Sequence, residues 1–136
     1  MCFSILFIIY LLHVYGSTVF SRLPSTRKYQ LEVFWSWKEI IHPIGRLGSA
    51  SRYDLLLENL LNIVMLLPLG LCLPLAYGKS ITWKKGLLIG ICISFSIELL
   101  QLILCRGLFE FDDIIHNSLG FFIGILMSNK IILKSK

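Results

Sequence analysis

An all-α membrane protein with four transmembrane helices, and an interfacial segment between the first two, is the fold class that this sequence predicts. Three observations predict it. Of 136 residues, 56% are hydrophobic and only 15% charged, with a mean hydropathy of +0.77, whereas soluble globular chains are nearer about 45–50% apolar. Four apolar runs reach the roughly 17–20 residues that a bilayer crossing needs. The connection after the first run mixes aromatic, aliphatic and basic side chains, as segments at the lipid headgroup level do.

The first helix runs from Met1 to about Phe20. No basic residue precedes its apolar core, as one would in a signal peptide, so a retained helix is expected, and the missing basic start leaves room for a start codon upstream. The interfacial segment, 21–58, carries Phe34, Trp35 and Trp37 beside Lys38, and Ile40, Ile41 and Ile44 around Pro43. It is expected to lie as an interfacial lid over a cleft formed by the helix ends. The second helix runs from about Asn59 to Tyr77, between Glu58 and Lys79, and Pro68 and Pro74 are expected to bend or end it. The third is Gly86 to Cys105. The fourth runs from about Asp113 to Lys130, with Lys130 snorkelling and Ile131, Ile132 and Leu133 extending the run. Four helices in this length predict one domain over 1–136.

Within the third run, GLLIGICISFSIELLQLILC, Glu98 is the only charge between Lys85 and Arg106. A carboxylate near the centre of a spanning helix costs roughly 2.5–3.5 kcal/mol, so such a residue usually faces a bundle interior, a partner or a water-filled cavity. Whichever side is outside, the second helix starts, the third ends and the fourth starts at one membrane face. Asn59 and Asn62, Glu98 and Gln101, and Asp112, Asp113, His116 and Asn117 stand at those three points. In the third helix Gly90, Ser94, Glu98, Gln101 and Cys105 follow helical steps of four, four, three and four, one continuous stripe. Asp113, His116, Asn117, Gly120 and Gly124 make a second stripe, and Gly120-x-x-x-Gly124 lets another backbone approach closely. These polar faces are expected to converge on a cleft.

Simpler roles compete at each position. Asp112 or Asp113 suits the N-cap of the fourth helix. The asparagines and Gln101 suit interhelical hydrogen bonds at roughly 0.6 kcal/mol each. His116 stands within reach of either aspartate, which favours its charged form.

Four cysteines show no CxxC pair and are expected as free thiols; with His13, His42 and His116 they show no zinc-ligand spacing, so no metal and no cofactor is expected. The net charge of +5 reads as attraction to anionic membrane lipid, and no nucleic-acid-binding pattern is present. Lys79, Lys84 and Lys85 between the second and third runs, and Lys130, Lys134 and Lys136 in the tail, contain no acid among them. The positive-inside rule therefore places both termini in the cytoplasm, and the segments 21–58 and 106–112 outside.

The ordered set Asn62-IVMLL-Pro68-Leu69-Gly70, Ser96-Ile97-Glu98-Leu99-Leu100-Gln101, Arg106, Asp112-Asp113, Asn117 and Gly120 with Gly124 resembles the VanZ-like family over roughly Asn59 to Met127. Leu66, Glu110, His116 and Phe121 depart from its common residues. The resemblance implies a small bacterial integral membrane protein of the cell envelope, in a family whose founding member is associated with lowered susceptibility to the glycopeptide teicoplanin. It also implies that Asn62, Glu98, Gln101, Arg106, Asp113 and Asn117 are a shared polar set.

Three functions are open at this stage. In the first, Asn62, Gln101, Arg106, Asp112, His116 and Asn117 bind a lipid-linked cell-wall precursor or a lipoglycopeptide. In the second, Glu98 and Asp113 are acid and base of an enzyme modifying an envelope lipid or glycan. In the third, an oligomer uses Glu98 as a proton or cation site for transport. The oligomeric state is not legible in the sequence.

Overall fold

Apolar length sets where these helices cross, but hydrogen bonding sets where they stop. The computed structural model describes residues 2–42 and 49–134. Pro43, Ile44 and Arg46 of the connection, and Met1 and Lys136 at the termini, lie outside them. The elements are α1 (Cys2–Tyr15) continuing through a π-helical turn (Gly16–Phe20), β1 (Lys28–Gln30), α2 (Trp35–Ile41), α3 (Ser49–Tyr77), α4 (Trp83–Leu104), β2 (Leu108–Glu110) and α5 (Phe111–Lys134).

Three helices are long and apolar enough to cross a membrane: Cys2–Phe20, Ser51–Tyr77 and Trp83–Leu104. Their exteriors are greasy. Ile5, Leu6, Ile8, Ile9, Leu60, Leu61, Val64, Leu88 and Ile103 all point outward, a surface that water does not tolerate in patches of this extent. The fourth expected span, α5, is not in that group, because His116, Asn117, Ser118, Asn129 and Lys130 dilute its apolar stretch. It packs against both α3 and α4, burying Ile114, Phe121, Ile125 and Ile132, while Leu119, Leu126, Met127, Ile131 and Leu133 stay exposed.

Glycines let α5 take that place. A Cβ on Gly120 would lie 1.7 Å from the Ile63 carbonyl oxygen, and one on Gly124 2.4 Å from that of Leu67. From the other side, Gly70 leaves room for the Phe121 carbonyl. The two backbones therefore touch along a seam that no side chain fits. Val14, Val19, Leu66, Leu69, Ile97, Phe121 and Ile125 form the core around it.

Several boundaries differ from the sequence expectation. α3 starts at Ser49, ten residues before the apolar run, because a helix needs only its backbone bonds to continue beyond lipid. Neither Pro68 nor Pro74 ends it. α4 begins at Trp83 and α5 extends to Lys134. The expected interfacial segment contains α2 and a strand that composition did not announce: β1 pairs in parallel with β2, Lys28 opposite Leu108 and Gln30 opposite Glu110. The Ser25 amide donates to the Cys105 carbonyl at 2.7 Å beside it. α4 ends by turning Cys105 left-handed (φ 53°), with the Arg106 amide donating to the Gln101 carbonyl at 2.8 Å, a closure that satisfies free carbonyls of the last turn.

Candidate functional site

The polar residues expected at three helix ends do meet at one end of the bundle. Asn62 Nδ2 donates to Asp113 Oδ1 at 2.6 Å, joining α3 to α5, and Ser94 Oγ donates to the Asp113 carbonyl at 3.4 Å, joining α4 to α5. The Glu110 amide donates to Glu98 Oε2 at 3.0 Å. Asn59, Glu98, Asp112, His116 and Asn117 are each 3% exposed or less. The convergence is therefore a packed polar cluster and not an open cleft.

What closes it is α2. Asp112 accepts from the Phe34 amide (2.5 Å), the Ser36 amide (3.2 Å) and Ser36 Oγ (2.6 Å). This aspartate caps a helix, as the sequence suggested, but it caps α2 in trans and not its own α5. The bonds offset the cost of the left-handed backbone at Phe34 (φ 59°), since charge-assisted bonds are the stronger class. Asn59 Nδ2 adds a donation to Ser36 Oγ at 3.1 Å. Two indoles fasten the rest: Trp35 Nε1 donates to Glu110 Oε2 at 2.9 Å and Trp37 Nε1 to His116 Nε2 at 2.7 Å. The expected lid thus lies over the cluster, attached by hydrogen bonds.

His116 has a different state from the one its sequence neighbours suggested. An indole N–H only donates, so Nε2 accepts and the ring proton sits on Nδ1, leaving a neutral imidazole. Glu110, in the strand outside the helices, has its carboxyl pKa raised by burial, against the Trp35 bond, with the nearby charges of Glu58 and Asp112 adding to the rise.

Gln101 and Arg106 stand apart from the carboxylates in what they bond. Gln101 Nε2 donates to the Thr18 carbonyl at 3.2 Å and Arg106 Nη1 to the Phe20 carbonyl at 2.7 Å, so both stitch the end of α4 to the end of α1. Tyr15 and Ser96 add a hydroxyl pair between the same helices.

Ser36, Glu110 and Arg22 stand in or beside the polar cluster, and sequence reasoning missed them. Arg22 is the cation whose field reaches both Glu98 and Asp113. A Cβ on Gly107 would lie 3.0 Å from its Nη1 and 2.7 Å from Gln101 Oε1, so glycine keeps that approach open. The acid run Phe109-Glu110-Phe111-Asp112-Asp113 was a signal for Glu110. Ser36 and Arg22 lie in a connection whose folding no periodicity announces. Among the described residues the only ion pair is Lys38 with Glu32, at 2.8 Å on the surface; Glu98, Glu110, Asp112 and Asp113 have none. No group of three or more His, Cys, Asp or Glu side chains is arranged to hold a metal among the described residues, and Cys2, Cys72, Cys92 and Cys105 are free. Buried side-chain atoms without a hydrogen-bond partner include Asn117 Oδ1 and His116 Nδ1 in the cluster, Glu39 Oε1 on α2, Arg52 Nε on α3 and Ser128 Oγ further along α5.

Membrane-crossing helices with acceptor-rich side chains gathered at one end, under a tryptophan-bearing cover, define the class: a small helical membrane protein with a buried polar cluster. The model of the VanZ/LLP1 family matches residues 1–133, and the chain belongs to that family. No curated protein and no solved structure matches it.

Proposed function

We propose that this is a four-span protein of the bacterial cytoplasmic membrane, with both termini in the cytoplasm and the acid end of the bundle in the outer leaflet. There it engages the headgroup of a lipid-linked or amphiphilic envelope molecule, and in doing so lowers susceptibility to teicoplanin-type glycopeptides. The observation that carries the reading is a group of acceptors at one end of the bundle without an ion-paired cation: buried Glu98, half-buried Asp113, and Asn117 Oδ1, which is buried without a hydrogen-bond partner. Unsatisfied buried acceptors are costly, and a donor-rich headgroup relieves them. Sugar hydroxyls and amines of a glycolipid precursor or a lipoglycopeptide are such donors. Arg22 and Arg106, beside the same helix ends, suit any anionic group the molecule carries. The Trp35 and Trp37 indoles on α2 suit the headgroup boundary.

The test is teicoplanin susceptibility of cells expressing wild type or Glu98→Gln at matched membrane abundance. Gln keeps size and one acceptor while removing the charge. Protection by wild type and none by Glu98→Gln is expected; equal protection by both would make Glu98 structural. Crosslinking by a photoactivatable lipid-linked cell-wall precursor, mapped to α2 and the start of α5, checks binding directly. An envelope lipid profile that changes on loss of the protein would favour the enzyme reading instead.

A further inference from the structure

The far end of the bundle, where α3 ends and α4 begins, has a constructed feature of its own. The connecting loop is clamped to α5 by Asn129, whose Oδ1 accepts from the Ile81 amide at 3.0 Å and whose Nδ2 donates to the Ile81 carbonyl at 2.7 Å. Both backbone groups of one residue are thereby fixed. Next to this loop is a cavity of about 450 Å³, within the roughly 300–1,000 Å³ typical of small-molecule sites. Leu73, Ile81 and Ile89 give it an apolar wall, and Lys79, Thr82 and Lys85 give it polar groups.

Charge at this end is one-sided. Lys79, Lys84, Lys85, Lys130 and Lys134 gather here, and no acid occurs between Asn59 and Ile97 or after Asp113. Among the described residues neither Lys79 nor Lys85 has an ion-pair partner. Two unneutralised ammonium groups beside an apolar wall are complementary to one kind of occupant: an amphiphile with an anionic head. A free phosphate would use the lysines and leave the wall uncovered.

We propose that this cavity binds an anionic phospholipid, its phosphate between Lys79 and Lys85 and one acyl chain along Leu73, Ile81 and Ile89. The site is independent of the acid end and of its proposed ligand.

The experiment places the full chain in phosphatidylcholine nanodiscs doped with a phosphatidylglycerol that carries a diazirine on one acyl chain, and maps the crosslinks. Label on the segment from Leu73 to Ile89 is expected. Lys79→Gln/Lys85→Gln should lower it at least about tenfold, because each lysine at an anionic headgroup contributes about fivefold. Lys130→Gln/Lys134→Gln, an equal charge change, should leave it within about twofold. Equal loss in both pairs would reduce the effect to diffuse surface charge and overturn the site. Ile89→Trp keeps every charge and fills the cavity, and it should abolish the label; full label in that variant would also overturn it. Equal labelling by a diazirine phosphatidylcholine, or loss of label on adding inorganic phosphate, would refute the lipid assignment.

Discussion

At the end where α3 begins and α4 ends, Glu98, Glu110 and Asp112 are buried and held by donors from several elements; where α3 ends and α4 begins, lysines are exposed and none of the described ones is ion-paired. The difference follows from side-chain reach. Asp and Glu are short, so once the helix ends enclose them their oxygens must find donors close by, and α2 brings the amides, hydroxyl and indoles that serve. Lysine carries its charge on a flexible stem that extends to water or headgroups without any partner in the chain. The acid end is therefore specific in geometry, and the lysine end is specific mainly in charge.

The most damaging change should be at the seam that both ends share. Gly120→Val places its side chain on the Ile63 carbonyl, and we expect a cost above the roughly 1–3 kcal/mol typical of overpacking, with loss of monodisperse protein on size exclusion. Survival of that variant would mean the two ends are held together by something other than the α3–α5 contact.

Asp112→Ala comes next. It strands three donors on Phe34 and Ser36 and should cost roughly 3 kcal/mol or more, read as protease sensitivity of α2 and a shift in tryptophan fluorescence. Asp112→Asn, with one oxygen left, should fall between. If α2 stays docked in the alanine variant, the acid end does not depend on its trans cap.

At the lysine end, Asn129→Ala removes two hydrogen bonds to Ile81 and should cost about 1–2 kcal/mol, with faster amide exchange confined to 78–82. A response spreading to α2 would break the independence of the two ends.

The smallest effect should be a pH dependence at Glu110. Its folded pKa is raised above the ordinary 4.5, so its contribution to stability is fully present below that value and is lost as pH rises through the folded pKa. Thermal unfolding of wild type should weaken relative to Glu110→Gln as pH increases from acid toward neutral. Parallel curves would show that this carboxyl is not buried as described.

Much of the acid end was legible. Helical spacing put Asn62, Glu98, Asp113, His116 and Asn117 on inward faces, and the Gly120 and Gly124 spacing announced the seam. That the tryptophan-bearing segment lies over these helix ends was foreseen, but it covers a packed cluster and not the expected cleft. What escaped was who bonds whom. Asp112 caps α2 and not α5, Gln101 and Arg106 reach the carbonyls of Thr18 and Phe20, and the β1–β2 pair joins segments 80 residues apart. Periodicity reports the face a residue occupies within its own helix and is silent on partners across such distances.

By itself the sequence determined the class, the apolar spans and the sorting of all acids toward one end and a lysine cluster toward the other, because hydrophobic length and charge order are properties of the chain taken in series. Only the tertiary structure decided that α5 packs against both α3 and α4, that α2 covers the carboxylates, and that a clamped loop beside an apolar wall stands among the lysines. Those outcomes depend on how closely two backbones can approach and on which donor arrives within about 3 Å of which acceptor, and neither is written in the order of residues along one segment.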